Sequence, residues 1–148
     1  VIVWRIANRA TLEGDGGLRA SGRWHGKGRR IVYTSISAAT ALLEVLVHLE
    51  VEPGGLPANF KLMRIEVPDE VTVTEITLAS LPPDWRSRQD VTRALGDAWL
   101  ARAETAALRV PSALISVEHN VLLNPAHPQH AVLRLLSIEE HAFDSRLL

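Results

Sequence analysis

Residues 60–77 read FKLMRIEVPDEVTVTEIT. Met63, Ile65 and Val67 alternate with Arg64 and Glu66, and beyond Pro68-Asp69 the residues Val71 and Val73 alternate with Thr72 and Thr74. Period-two patterning of this kind predicts two half-buried strands, 60–67 and 71–77. Strands that follow one another without an intervening helix argue against a doubly wound β-α-β arrangement. The fold they favour is α+β, with a mainly antiparallel sheet and flanking helices.

Outward from this stretch, further strands are expected at 1–7 (VIVWRIA) and 30–35 (RIVYTS), and within 107–116 (ALRVPSALIS), 120–125 (NVLLNP) and 131–143 (AVLRLLSIEEHAF). Two helices are expected. Ser37 precedes AATALLEVLVHLE (38–50), which stops before Pro53-Gly54-Gly55, and Asp90 precedes VTRALGDAWLARAE (91–104). Ser37 and Asp90 suit N-caps because their side-chain oxygens accept from the free N–H groups of a first turn. Segments 8–22 and 80–89 are rich in turn residues and read as loops, as does 53–57. No repeat, low-complexity tract or linker divides the chain, so residues 1–148 are expected to form one domain.

With 148 residues, 47% of them hydrophobic, the chain can bury a core without staples. It has no cysteine, which excludes disulfides and thiolate metal sites and fits a reducing cytoplasm. No run approaches the roughly 20 apolar residues of a membrane span, and VIVWRIANRA lacks the layout of a signal peptide. A soluble, cytoplasmic protein is therefore expected. Its net charge of −1 argues against direct nucleic-acid binding, which rests on a broad cationic surface.

The cations are gathered locally. SGRWHGKGRRIVYTS (21–35) holds Arg23, Lys27, Arg29 and Arg30 among three glycines and runs into Tyr33. Glycines let backbone approach a ligand, and guanidinium forks match phosphate oxygens. Such a loop either binds pyrophosphate or is a mobile surface loop with solvated charges. Neither nucleotide fingerprint is met: GKGRRI has Ile31 where the last glycine belongs, and GRWHGKG lacks the P-loop spacing and its Ser/Thr.

The helix at 38–50 is apolar almost all round, which predicts that it is mostly buried. Its exceptions Thr40, Glu44 and His48 recur every four residues and fall on one narrow face. That line is either the solvent side or the wall of a cleft. A carboxylate on such a wall needs a partner or a cationic ligand, which makes Glu44 the first candidate for chemistry.

Other features carry less. His127 and His130 have proline between them and no third ligand, so no metal is expected. Ser112 lacks the G-x-S-x-G elbow of a hydrolase nucleophile. Trp4 and Trp99 read as core and Trp85 as a pocket wall. Arg5 either pairs with a carboxylate or assists with phosphate, and Glu118 and Asn120 either border the site or pin a turn.

In order along the chain, Arg23, Tyr33, Glu44 and Ser112 resemble the RES domain family, named for its arginine, glutamate and serine. The likeness extends through WRI (4–6), IVYTS (31–35), LLEVLVH (42–48), DW (84–85), GDAWL (96–100), VPSA (110–113), EHNVLLNPAHP (118–128) and FDSRL (143–147). Trp24-His25-Gly26 departs from the family, whose members usually carry Phe-Asn-Pro or similar after the arginine. The resemblance implies a fold similar to ADP-ribosyltransferase toxins and a toxin of a bacterial toxin–antitoxin module, restrained by an Xre-type antitoxin that also recognises the operator. It implies NAD as a substrate rather than a cofactor, cleaved with transfer of ADP-ribose to a protein, to water or to phosphate. On this reading Glu44 stabilises the ribosyl cation or holds its hydroxyls. Arg23 and Lys27 grip the pyrophosphate, Tyr33 packs on nicotinamide or ribose, and Ser112 and Asn120 bind the nicotinamide ribose end. A non-catalytic module that holds a nucleotide or an acidic partner is the alternative.

Overall fold

A computed structural model describes residues 1–49 and 58–147. Its strands are β1 (Ile2–Ala7), β2 (Val32–Ser35), β3 (Asn59–Glu66), β4 (Val73–Glu75), β5 (Ala107–Pro111), β6 (His119–Leu123) and β7 (Arg134–Ala142). They form one sheet in the order β4-β5-β6-β2-β1-β3-β7, antiparallel throughout except for the β4-β5 pair. The helices are a single turn α1 (Gly16–Arg19), then α2 (Ala38–Leu49) and α3 (Gln89–Arg102). The α+β expectation holds.

Register decides which residues share a face. Trp4 stands opposite Ser35, Ser35 opposite Asn120, Tyr33 opposite Leu122 and Val110 opposite Asn120. Because successive side chains leave a strand on opposite sides, all of these lie on one face, while Val3, Arg5, Val32 and Val121 lie on the other. On the first face α2 packs through Ala41, Leu42 and Val45 against Trp4, Ile6, Phe60 and Leu62. Further along, Trp99 and Leu100 of α3, with Trp24 and Trp85, cover Leu108, Val110 and Leu122. The strip of sheet at Ser35 of β2 and Asn120 of β6 is polar and belongs to neither cluster. The opposite face buries Val3, Val32, Met63, Ile65 and Leu123 beneath Ala10, Leu12 and Leu133.

Several expectations are corrected. Of the two half-buried strands expected within residues 60–77, the first is β3 and the second is mostly lost. Both edges of β3 are taken by β1 and β7, and after a turn closed by the Val71 N–H on the Pro68 carbonyl the chain crosses to the far edge of the sheet. There only Val73–Glu75 is strand, and it is exposed rather than half-buried. Asp90 does not cap α3; the helix begins at Gln89, and Asp90 sits in its first turn, bonded to Arg88 at 3.1 Å. Its carboxylate still suits the positive end of the helix dipole. The helix also stops short of Glu104, with Ala103 in the left-handed region at φ 51°. Ser37 does cap α2, its Oγ accepting from the Thr40 N–H at 3.0 Å. That helix is less buried than its composition predicts, since Leu43 and Val47 are 39% and 47% exposed. Glu50 and the 53–57 loop lie outside the described residues.

Candidate active site

Glu44 comes to the strip because α2 starts directly after β2 and the Ser37 cap sets its rotation. Its Oε1 accepts two hydrogen bonds, from Ser112 Oγ at 2.8 Å and from Asn120 Nδ2 at 2.9 Å. Asn120 is itself oriented by Ser35, whose Oγ donates to the amide oxygen at 2.7 Å. Ser112 follows β5 in the turn to β6, closed by its N–H on the Glu118 carbonyl. Its fully buried hydroxyl also accepts from the N–H groups of Leu114 and Ile115 at 3.1 and 3.3 Å. Among the described residues no group donates to Glu44 Oε2. One oxygen is anchored by two donors.

The polar line on α2 therefore faces the molecule at its first two members. Thr40 is buried and Glu44 half-buried against β6, while His48, the last member of the line, is exposed, as are Ala39, Leu43 and Val47. The cleft-wall reading of that line is the one the geometry supports.

The backbone of the cationic loop is tied to α3. Helix α3 holds that backbone at three points: Thr92 Oγ1 donates to the Arg23 carbonyl (2.6 Å), Arg93 Nε to the Gly22 carbonyl (2.8 Å), and both Asp97 carboxylate oxygens accept from the Gly26 N–H (3.0 and 3.2 Å). At Gly96 the Trp24 carbonyl approaches so closely that a methyl group would collide with it. Trp24 and His25 are both buried.

His25 and Tyr33 lock the loop to the sheet. His25 Nε2 meets the Ala20 carbonyl at 3.0 Å and must donate there. Its Nδ1 then accepts, and the Tyr33 hydroxyl 2.7 Å away donates to it while accepting from the Trp24 N–H. Burial lowers the His25 pKa against the opposing pull of the Gly17 and Ala20 carbonyls, and burial raises the Tyr33 phenol well beyond its ordinary range. Both groups are neutral near pH 7.

Arg23 Nη1 donates to the Arg86 carbonyl at 3.1 Å, and its guanidinium lies 5.9 Å from the centre of the buried Trp85 ring. Burial lowers its pKa, Glu44 opposes that shift, and Arg93 and Arg86 add to it. Arginine nonetheless keeps its charge in such a setting.

Arg23, Tyr33, Glu44, Ser112 and Asn120 thus come together from the loop, β2, α2, the β5–β6 turn and β6. Lys27 does not join them: its side chain is exposed, and its backbone N–H is bonded to Ser21 Oγ. Arg29 pairs with Asp97 at 3.6 Å, and Arg30 reaches the Glu13 carbonyl. Arg5 lies on the opposite face of the sheet from Glu44, bonded to the Tyr33 carbonyl and within the field of Asp15. Trp99 is core, with its indole N–H on Thr105. Trp4 packs at the edge of the α2 cluster. His127 Nδ1 accepts from the Gln129 N–H, His130 Nε2 meets the Leu12 carbonyl, and no metal-binding cluster occurs among the described residues. Two surface depressions, of about 560 Å³ beside Arg30 and His130 and about 520 Å³ around Val67 and Arg109, lie away from Glu44. The site is defined by converging side chains.

Sequence reasoning missed His25, Arg86 and the α3 residues Thr92, Arg93, Gly96 and Asp97. The α3 set had a signal, since Thr92/Gly96 and Arg93/Asp97 are two four-residue steps along one helix face. Arg86 had none, because its role depends on where Trp85 is buried.

Fold and site together define a class: a small α+β domain whose cleft opposes one anchored carboxylate with a group of guanidiniums. The RES domain family model matches residues 2–144, and the chain belongs to that family. It is 46% identical over 147 residues to the protein called Toxin Res of Pseudomonas putida, covering 99% of each chain. It is 38% identical to the Prs ADP-ribosylating toxin of Sphingobium sp., covering 98% of this chain and 95% of that one. Among solved structures, the M. tuberculosis MbcT–MbcA toxin–antitoxin complex contains a chain that superposes with a TM-score of 0.77 at 21% identity, covering 95% of this chain and 84% of that one. The protein is a toxin of the RES family.

Proposed function

We propose that this toxin cleaves the bond between nicotinamide and ribose in NAD and passes ADP-ribose to an acceptor. The observation that carries the reading is Glu44, with Oε1 held by Ser112 and Asn120, in the field of Arg23. When the bond breaks, its electron pair leaves with the nicotinamide nitrogen and neutralises the pyridinium ring. Positive charge passes to the ribose carbon and ring oxygen, the problem glycosidases meet with carboxylates. Glu44 Oε2 stabilises that charge or accepts a hydrogen bond from a ribose hydroxyl. The acceptor then bonds to the ribose carbon and releases its proton.

Ser112 and Asn120 position Glu44 in this reading. The Ser112 hydroxyl is buried and donates to a carboxylate, which holds it in place and disfavours a nucleophilic serine. Tyr33 offers its ring face to nicotinamide or ribose, and Arg23 holds phosphate. An antitoxin that covers the cleft, of the Xre type, is the partner we propose. That a relative is named an ADP-ribosylating toxin supports protein as the acceptor.

The test is incubation of purified protein with NAD labelled in the adenylate half, with and without phosphate and with lysate. Free ADP-ribose, its phosphorylated form or a labelled protein band identifies water, phosphate or protein as acceptor. Intact NAD under all three conditions refutes the enzyme reading and leaves a nucleotide- or partner-binding module.

A further inference from the structure

Three guanidiniums border the cleft, each steered by a main-chain carbonyl. Arg23 donates to Arg86 (3.1 Å), Arg86 Nε to Ala113 (3.2 Å) and Arg93 Nε to Gly22 (2.8 Å). Among the described residues none of the three forms an ion pair with a carboxylate. Arg23 and Arg86 share one platform: their guanidinium carbons stand 5.9 and 5.3 Å from the centre of the Trp85 ring. Cations stacked on an indole are held in place by its π-face without losing charge.

Like charges gathered on one ring repel each other, and Glu44 supplies a single negative charge against them. The arrangement becomes favourable when a dianion enters. The chemistry it fits is a diphosphate, whose two phosphates present oxygens to two planar forks.

We propose that Arg86 is the second arm of a phosphate clamp, with Arg23 and Arg86 on Trp85 taking the two phosphates of the dinucleotide; this rests on the NAD reading above. Among the described residues Arg86 Nε is the nitrogen that is committed, and the two terminal nitrogens, with no hydrogen bond there, can bind phosphate. The side chain is exposed, so its charge carries no large desolvation cost before ligand arrives. Because Ala113 follows Ser112, the same guanidinium ties the clamp to the turn that holds Glu44.

The test measures binding of NAD, nicotinamide riboside and inorganic pyrophosphate to wild type, Arg86→Ala and Arg86→Lys, with a thermal melt to show that each is folded. Arg86→Ala is expected to weaken NAD and pyrophosphate by about ten- to a hundredfold, the range of a lost charge-assisted contact, and to leave nicotinamide riboside within about twofold. Arg86→Lys, which keeps the charge without the fork, is expected to fall between. Unchanged NAD and pyrophosphate binding in Arg86→Ala overturns the clamp. So does an equal loss for NAD and nicotinamide riboside, which makes Arg86 only a latch on the Ser112 turn. If wild type neither binds nor consumes NAD the NAD reading fails, but pyrophosphate binding that is lost in Arg86→Ala still upholds the clamp; no pyrophosphate binding by wild type overturns it as well.

Discussion

Replacing Glu44 by glutamine separates the charge of the site from its shape. Ser112 and Asn120 both donate to Oε1, and a glutamine carbonyl in that place accepts the same two bonds. The amide nitrogen then takes the place of Oε2, where no protein donor stands to clash with it. Two hydrogen bonds change from charge-assisted to neutral, a loss of roughly 1 kcal/mol each. A neutral amide costs less to desolvate than a carboxylate, which offsets part of this. Stability should therefore fall by no more than about 2 kcal/mol, which is below about 8 °C in melting temperature for a chain of this size. The rate should fall far more. Loss of a preorganised electrostatic partner of a developing charge costs about 100- to 1,000-fold, or roughly 3–4 kcal/mol. The assay is nicotinamide release from NAD by purified wild type and Glu44→Gln, with melting curves on the same samples. A folded glutamine variant that releases nicotinamide within about threefold of wild type would refute the role given to this carboxylate.

Ser112→Ala removes one of the two donors to Glu44 and the acceptor for two N–H groups; a stability loss of about 1–3 kcal/mol in urea unfolding is expected, with NAD turnover down at least about tenfold. Gly96→Ala should destabilise by about 1–3 kcal/mol, because the methyl meets the Trp24 carbonyl, although alanine in a helix would otherwise stabilise by about 1 kcal/mol; a rise in melting temperature would contradict the packing described. His25 yields a pH dependence. Burial lowers its pKa, so below about pH 6.5 the unfolded chain takes up a proton that the folded one resists, and stability is full above that pH and declines beneath it by up to about 1.4 kcal/mol per unit. His25→Gln should flatten that part of the stability curve between pH 6.5 and 5, measured by denaturant titration; an unaltered slope would exclude His25 as the source.

The sequence by itself determined the mixed class, the Ser37 cap and the identity of the central carboxylate. Each is a local matter: alternation over a few residues, one oxygen before a helix, or a polar residue repeated every fourth position. The ordered likeness to the RES family, from Arg23 to Ser112, was also legible along the chain.

Tertiary structure decided what those residues touch. Nothing in 60–77 says that β3 and β4 end on opposite halves of the sheet, because strand pairing depends on which edges the distant β1, β5 and β7 occupy. The cationic run of 21–30 looks uniform in one dimension, yet Arg23 turns to Trp85 while Arg29 turns to Asp97 and Lys27 to solvent. That sorting is made by α3, about 70 residues away, whose Thr92, Arg93 and Asp97 bind the loop backbone. Hydrogen bonds and charges act through space, so partners so far apart along the chain become visible only when the fold brings them within 3 Å.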